Sequence, residues 1–297
     1  MSASLPSGNP KLPDSINNQH ESPLRDFVLL AVALVVLVLL LAAGLSFSAR
    51  WVAPLIPYEW EQALVPSQAS QSAPGETDDT LTGNPLTAEQ QAQKQAEKQA
   101  QDALNALMQK LLANEAAPLA VSVHWLADEA LPNAFAMPGG QIFVTRGLVN
   151  NVSSENGLAM VLAHEYAHVA LRHPLTLILE QLSTGLVTGL FGGDAAALIS
   201  QQTRLATLLA FSRDMEADAD AYAVQLVKAT YGHAGGSGEF FAHMLTQHDE
   251  PGWTQMFSSH PLTQTRLDAL LAQPDGALTP LPQALLQAQS QNAAVAD

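Results

Sequence analysis

The stretch His164-Glu165-Tyr166-Ala167-His168 places two histidines four residues apart, with a glutamate directly after the first. Residues four apart lie on the same face of a helix, so both imidazoles can reach one metal ion. Glu165 then projects beside them, close enough to polarise a water molecule on that ion. The spacing therefore predicts a helix at this point of the fold, carrying a hydrolytic metal site.

The residues around this motif predict that the helix is buried. Residues 158–163 and 169–171 are apolar, as in a core helix that is hydrophobic all round. Ser153 and Ser154 are candidate N-caps, and Pro174 blocks continuation of the helix. The alternative to a metal site is a core helix whose histidines are satisfied by neighbours. Two imidazoles and a carboxylate in such a helix are costly without partners, and a metal ion supplies them.

A catalytic zinc needs a third protein ligand and an open position. The metzincin extension, with a glycine and a third histidine after the motif, is absent here. Leu171 occupies the glycine slot and Pro174 the slot of the third histidine. His173 lies one residue short and on the wrong side of the helix. The third ligand must therefore come from another part of the chain.

Residues 212–221 contain the best donors for that third position. Glu216 and Asp220 are four apart and share a helix face. One carboxylate can bind the metal while the other orients a ligand imidazole. The alternative is a solvated acidic helix face. Asp214 and Asp218 fit the solvated interpretation better.

Four blocks of the chain, in order, resemble the HtpX-like and BepA-like zinc metallopeptidases of peptidase family M48, which are of the gluzincin type. The resemblance covers roughly residues 115–275, and four ordered blocks are far more specific than one motif. The blocks are NAFAMPGGQIFV at 133–144, the helix at 155–173 with its trailing Arg172-His173, SRDMEADAD at 212–220 and SHPLTQTRL at 259–267.

The resemblance implies a role for each residue of the site. It implies one Zn²⁺ per chain, a general base, an outer carboxylate and a histidine near the metal that gates the site or stabilises the oxyanion. The implied metal ligands are His164, His168 and Glu216. The implied catalytic residues are Glu165 as the general base, Asp220 as the outer carboxylate and His260 as the histidine near the metal. The alternative for His260 is a turn residue before Pro261.

The segment before the active-site helix reads as a turn at residues 138–140 followed by a strand at 141–145. In zincins, a strand at this position lies at a sheet edge and can pair with an extended substrate backbone. The predicted substrate-binding residues are Gln141, Ile142, Phe143 and Val144.

These features predict an α+β fold, a mostly helical zincin-like metallopeptidase domain with a small β-sheet, preceded by one N-terminal transmembrane helix. The predicted units are a disordered tail at 1–25, the transmembrane helix at 26–48, a juxtamembrane segment and flexible linker at 49–87, the peptidase domain at 88–275 and a C-terminal tail at 276–297.

Residues 27–45 are uncharged, apolar and long enough to span a membrane. A buried core helix and a cleavable signal peptide are the alternatives. The long polar region before this run and its length favour an uncleaved, single-pass anchor. Trp51, Tyr58 and Trp60 follow, as in an interfacial aromatic belt.

The side of the membrane on which the domain lies is indicated by charge. Few basic residues flank the span, and the acidic, lysine-poor remainder of the chain suits the outside. We expect a periplasmic or other extracytoplasmic catalytic domain, with a cytosolic domain as the alternative.

The composition restricts the partners. The formal net charge of the 297-residue chain is −16 and no basic stripe is present, which argues against nucleic-acid binding. The absence of cysteine excludes disulfides and thiolate metal sites. The expected partners are a protein or peptide substrate and the membrane, and nothing in the sequence indicates an oligomeric state.

Residues 175–211 are short of charge, and they join the two metal-binding helices. One interpretation is a pair of core helices around a glycine turn. The other is a lid, or a hairpin that dips into the membrane over the cleft.

Three functions fit the sequence. The first is a membrane-anchored zinc endopeptidase in quality control of misfolded or membrane-associated proteins, where the substrate class rests on family analogy. The second is a chaperone or scaffold in which zinc only holds the fold. The third is a zinc amidase acting on cell-wall peptides.

Overall fold

A computed structural model describes residues 22–64, 87–190, 210–247, 253–274 and 276–290. Helices dominate this part of the chain, with short 3-10 turns at Ala53–Leu55 and Pro138–Gly140. The strands are β1 (Ser122–Leu126), β2 (Ala134–Met137) and β3 (Gln141–Thr145). The helices are α1 (Pro23–Val52), α2 (Tyr58–Leu64), α3 (Ala88–Leu112), α4 (Arg146–Asn150), α5 (Glu155–Ala170), α6 (His173–Leu190), α7 (Arg213–Tyr231), α8 (Glu239–Thr246), α9 (Thr254–Ser259), α10 (Gln264–Leu271) and α11 (Gln283–Ser290). The predicted fold class is confirmed.

The three strands form one sheet in the order β1-β3-β2. β1 runs parallel to β3, with Val123 opposite Ile142. β2 runs antiparallel to β3, with Phe135 opposite Phe143. The Pro138–Gly140 turn causes this arrangement, because it folds β2 back onto β3 as a hairpin.

The prediction that Gln141, Ile142, Phe143 and Val144 form an edge strand is therefore wrong. They belong to β3, which is hydrogen-bonded on both sides and has no free edge. Among the described strands, the free edge next to the active-site helix belongs to β2, which packs against α5.

The predicted buried helix around residue 164 is α5. Its N-cap is Ser154, whose side chain accepts a hydrogen bond from the Gly157 amide. Every residue from 156 to 169 is buried, and α5 packs mainly on α7 and also on β2 and α3. α5 ends at Ala170, and Pro174 lies in the first turn of α6, where a proline is tolerated.

The described helices at the two ends of the domain pack together. α3 begins after Thr87, which forms a capping box with Gln90 and so satisfies two amides of the first turn. α11 packs on α3 with Leu285 fully buried. This part of the predicted C-terminal tail therefore belongs to the core.

α1 contains the predicted membrane span at 26–48. It is long and apolar enough to cross a membrane, and its apolar side chains are largely exposed. α6, the first half of the apolar stretch at 175–211, lies along α1. Residues 191–209 of that stretch lie outside the described residues. The same holds for residues 1–21 of the predicted tail, residues 65–86 of the predicted juxtamembrane segment and linker, and residues 291–297 of the predicted C-terminal tail.

Candidate metal centre

α5 carries three of the predicted site residues on its buried face. His164 and His168 are one helical turn apart, and their Nε2 atoms are 3.0 Å from each other. Both rings are buried. Glu165 is buried beside them, 1% exposed. The i, i+4 spacing thus brings the two imidazoles together as the sequence predicted.

α7 supplies the carboxylate that faces this histidine pair. Its N-cap Ser212 accepts a hydrogen bond from the Met215 amide, which fixes the start of the helix. Glu216 follows in the first turn and is fully buried. Its Oε2 lies 3.5 Å from His164 Nε2 and its Oε1 lies 3.3 Å from His168 Nε2. The structure therefore joins Glu216 to the His164 and His168 pair.

The three donors match the requirements of a tetrahedral zinc site. Ligand atoms at zinc bond lengths of about 2.1 Å are about 3.4 Å apart at the corners of a tetrahedron. The separations of 3.0, 3.3 and 3.5 Å between the donors of His164, His168 and Glu216 lie close to that value. Two nitrogens and one carboxylate are also a donor set that catalytic zinc accepts.

The electrostatic environment of the donors favours a cation. Burial lowers the pKa of His168 well below its usual value, which leaves a neutral imidazole with a free lone pair. Although burial opposes ionisation of Glu216, the surrounding His260, His164 and His168 rings hold its pKa below the usual range. Burial also acts against a charged His164, but the Asp220 and Glu216 carboxylates raise its pKa to about 10. The centre of the cluster therefore favours positive charge.

Asp220 occupies the outer position that the sequence predicted. Its Oδ1 lies 3.0 Å from His164 Nδ1, on the ring edge that faces away from the donor cluster. Arg266 holds this carboxylate with two bonds of 2.6 and 2.9 Å. The same guanidinium lies 2.6 Å from Glu216 Oε2. One arginine on α10 thus positions the two buried acidic residues of α7, Glu216 and Asp220.

His260 lies between Glu216 and Glu165. Its Nδ1 is 3.1 Å from Glu216 Oε1, and its Nε2 is 3.6 Å from Glu165 Oε1. The possible ligand atoms of four residues all lie within 4.8 Å of one another, those of His164, His168, Glu216 and His260. The turn before Pro261 therefore points His260 into the site.

Glu165 has the surroundings of a buried group that lacks a close side-chain partner. Its nearest side-chain nitrogen is His260 Nε2, 3.6 Å from Oε1, which is longer than a hydrogen bond. Burial raises its pKa, and the nearby His260 and His164 rings oppose that rise. A carboxyl group of raised pKa beside a metal site is suited to take up and release a proton.

Three residues that contact the site residues were not assigned a role from the sequence. Arg266 lies in the fourth matching block, which is the signal that could have found it. His173 was excluded as a ligand, yet its Nδ1 lies 2.9 Å from His168 Nδ1 and orients that ring. Phe211 stacks on His168 with ring centroids 3.8 Å apart, and no motif marks it.

The chain is similar to known metallopeptidases. The model of Peptidase family M48 matches residues 98–273, more than half of the chain. "Metalloendopeptidase OMA1, mitochondrial" of Bos taurus is 31% identical over 194 residues, covering 58% of this chain and 37% of the relative. "Mitochondrial metalloendopeptidase OMA1" of Schizosaccharomyces pombe is 31% identical over 153 residues, covering 49% and 44%. "Beta-barrel assembly-enhancing protease" of Yersinia pestis is 27% identical over 180 residues, covering 55% and 37%. The chain thus spans less than half the length of each of these relatives.

Proposed function

The chain belongs to peptidase family M48, and from that premise we propose that it is a membrane-anchored, zinc-dependent endopeptidase. The observation that carries the proposal is the meeting of His164, His168 and Glu216 around one point, with the buried carboxylate of Glu165, which has no close side-chain hydrogen bond, beside it. A site built only to hold the fold has no use for a buried carboxylate without such a bond, because burying it is costly.

The three donors would hold one Zn²⁺ per chain. When bound, zinc would supply Lewis acidity, lowering the pKa of a water molecule towards neutrality and polarising the peptide carbonyl. Asp220 would keep the His164 ring in place through its contact with Nδ1. The hydrogen-bonded His173 would do the same for His168.

Glu165 would carry the proton through the reaction. It takes a proton from the water that attacks the scissile carbonyl carbon and holds it on a carboxylate oxygen. As the C–N bond breaks, the same oxygen gives that proton to the leaving amine. His260, with its Nδ1 3.1 Å from Glu216, is placed to donate a hydrogen bond from Nε2 to the carbonyl oxygen as negative charge develops there.

The substrate would bind along β2 rather than β3. β2 has an unpaired edge among the described strands and packs against the helix that carries Glu165. An extended peptide that adds to this edge as a further strand would place its carbonyl groups beside the metal-binding residues. Main-chain pairing of this kind tolerates varied side chains, which suits an enzyme acting on unfolded segments.

α1 would anchor the domain in the membrane as a single-pass helix, with the catalytic domain on the extracytoplasmic, in bacteria periplasmic, side. The contact of α6 with α1 favours a membrane-proximal position for α6. By analogy with relatives named for β-barrel assembly, the substrates would be misfolded or membrane-associated proteins.

The test is metal analysis together with a casein-degradation assay on the full-length protein. We expect about one zinc per chain, and we expect Glu165→Gln to retain zinc while losing at least about 100-fold in kcat. Asp218→Asn is the matched control, because it removes an exposed carboxylate on α7. Absence of zinc from the wild-type protein would overturn the proposal, and full function in Glu165→Gln would favour a scaffold. Cleavage of peptidoglycan stem peptides without cleavage of casein would favour an amidase.

A further inference from the structure

The helix that follows the membrane anchor is built into the domain. α2 packs on the Pro138–Gly140 turn, which links β2 to β3. Within α2, Glu61 is only 1% exposed. Its Oε1 accepts a hydrogen bond of 2.9 Å from the Gly139 amide, and its Oε2 lies 2.6 Å from Arg172 Nη1. One buried carboxylate therefore joins α2 to two separate elements of the domain.

Arg172 lies where the chain leaves the active-site helix. Its backbone has a φ of 61°, a left-handed conformation that is uncommon for a residue with a side chain. Its Nη2 donates a hydrogen bond of 2.6 Å to the Ile56 carbonyl, and its guanidinium lies over the Tyr58 ring. The next residue, His173, is hydrogen-bonded to His168. The contacts of Arg172 thus hold the segment that supports a metal-binding histidine.

Tyr58 extends the same attachment to the sheet. Its hydroxyl donates a hydrogen bond of 2.6 Å to the carbonyl of Ala120, just before β1. It was predicted as part of an interfacial belt, but its ring faces the domain. Trp51 and Trp60 do remain exposed, at 53% and 68%. α2 therefore presents Trp60 outwards and Tyr58 towards the domain.

The pairing of Glu61 depends on its charge. Burial raises the pKa of Glu61, and the Gly139 amide and the Arg172 guanidinium act in the opposite direction. A buried ion is tolerated when it is paired, and removing one partner leaves the other uncompensated. Glu61→Gln keeps an oxygen that can accept from the Gly139 amide but leaves Arg172 without its anion.

We propose that Glu61 is a positioning residue that ties the end of the membrane anchor to two sides of the catalytic cleft. Through Gly139 it holds the turn at the end of β2, and through Arg172 it holds the segment before His173. The inference rests on the proposed function, in which β2 pairs with the substrate. The anchor, the edge strand and the active-site helix then keep fixed relative positions. The catalytic cleft therefore lies at a fixed distance from the membrane surface.

Peptide-cleavage kinetics of the zinc-loaded, full-length protein in detergent micelles test this role. Glu61→Gln leaves the buried Arg172 guanidinium without its anion and so loosens the packing of α2 on the turn at the end of β2. The metal donors are not altered directly, and we expect KM to rise by about tenfold. kcat falls by less, about threefold, because the hydrogen bond from His173 to His168 is loosened while Glu165 itself is unchanged. Glu59→Gln is the matched control: it removes the same charge from an exposed position on the same helix, and both constants stay at the wild-type values. A wild-type KM in Glu61→Gln would overturn the proposal.

Hydrogen exchange supplies a measurement that is independent of cleavage. In Glu61→Gln the amides of residues 137, 139–141 and 171–173 exchange faster than in the wild type, whereas those at 104–111 in the buried part of α3 do not. Unchanged exchange in both segments would refute the proposal. A wild-type protein without metal-dependent cleavage would refute the proposed function and leave exchange to decide the role of Glu61.

If Glu61→Gln does not fold, Tyr58→Phe tests the same attachment, because it removes one hydrogen bond between α2 and the domain. We expect a smaller rise in amide exchange at 137 and 139–141 in this variant. Unchanged exchange there would count against the proposal.

Discussion

The Nδ1 atom of His164 lies 3.0 Å from the Oδ1 atom of Asp220, while Nε2 of the same ring faces the donor cluster. The carboxylate therefore sets which nitrogen of His164 carries a proton and which is free to bind metal. Asp220→Asn keeps the shape but removes the charge, so we expect zinc affinity to fall by about 10- to 100-fold. Competition with a zinc indicator measures this change.

The control for Asp220→Asn is Asp218→Asn, two residues earlier on the same helix but exposed. It should bind zinc as tightly as the wild type. Equal affinity in both variants would show that the Asp220 contact does not support the metal site.

His260 should contribute to the rate rather than to metal retention. Its Nδ1 contacts Glu216 and its Nε2 faces Glu165, which places the ring on the side of the reacting groups. Loss of one donor to a developing oxyanion costs about 100-fold in kcat or more. We expect His260→Gln to show such a loss with zinc still bound, measured by peptide cleavage and metal analysis.

The opposite result for His260 has a distinct meaning. A variant that cleaves faster than the wild type would show that His260 blocks the site at rest as a fourth metal ligand. A variant that loses zinc would show that it is needed for binding. Either result would contradict the role in stabilising the oxyanion.

Zinc removal should lower the thermal stability of the domain. Metal that binds only the folded state stabilises it by about 4 kcal/mol when free zinc is 1,000 times its Kd. For a domain of this size each kcal/mol corresponds to about 2–4 °C in Tm, so chelation should lower Tm by roughly 10 °C. Calorimetry in detergent with and without a chelator measures the change, and re-addition of zinc should restore it. An unchanged Tm would mean that the cluster holds no metal under these conditions.

The metal centre was predictable because most of its information is local. The spacing of His164 and His168 sets one helix face, and the spacing of Glu216 and Asp220 sets another. The buried surroundings of residue 164 follow from its apolar flanks. Only the meeting of the two helices is non-local, and the order of the four matching blocks indicated it.

The parts that escaped prediction depend on partners far apart in the chain. Whether β3 is an edge or a central strand depends on where β1 and β2 pair, and the pattern of each strand is the same in both arrangements. Arg266 meets Asp220 from 46 residues away. Glu61 lies beyond a linker from Arg172, and an isolated acidic residue near a membrane helix gives no sign that it is buried.

The contact between α2 and the turn before β3 makes Gly140 sensitive to substitution. Gly140 has a φ of +76°, and a Cβ there would collide with the Tyr58 hydroxyl and lie 2.6 Å from the Ala120 carbonyl oxygen. Gly232 has nearly the same φ, +78°, but open space around the position of a Cβ. Gly232→Ala should therefore cost only the left-handed strain, about 1–2 kcal/mol. Gly140→Ala should cost about 1–3 kcal/mol more, because the Tyr58 hydrogen bond must also break.

Thermal unfolding of the two alanine variants measures this difference, and Tyr58→Phe provides the decisive comparison. Removing the hydroxyl takes away the nearest atom of the collision, so part of the cost of Gly140→Ala should disappear in the double variant. The Ala120 carbonyl remains in place, which is why the rescue should be partial. Tyr58→Phe should give no rescue to Gly232→Ala. Strictly additive effects of Tyr58→Phe and Gly140→Ala would mean that α2 does not lie on this turn, and the link from the membrane anchor to the cleft would fail with it.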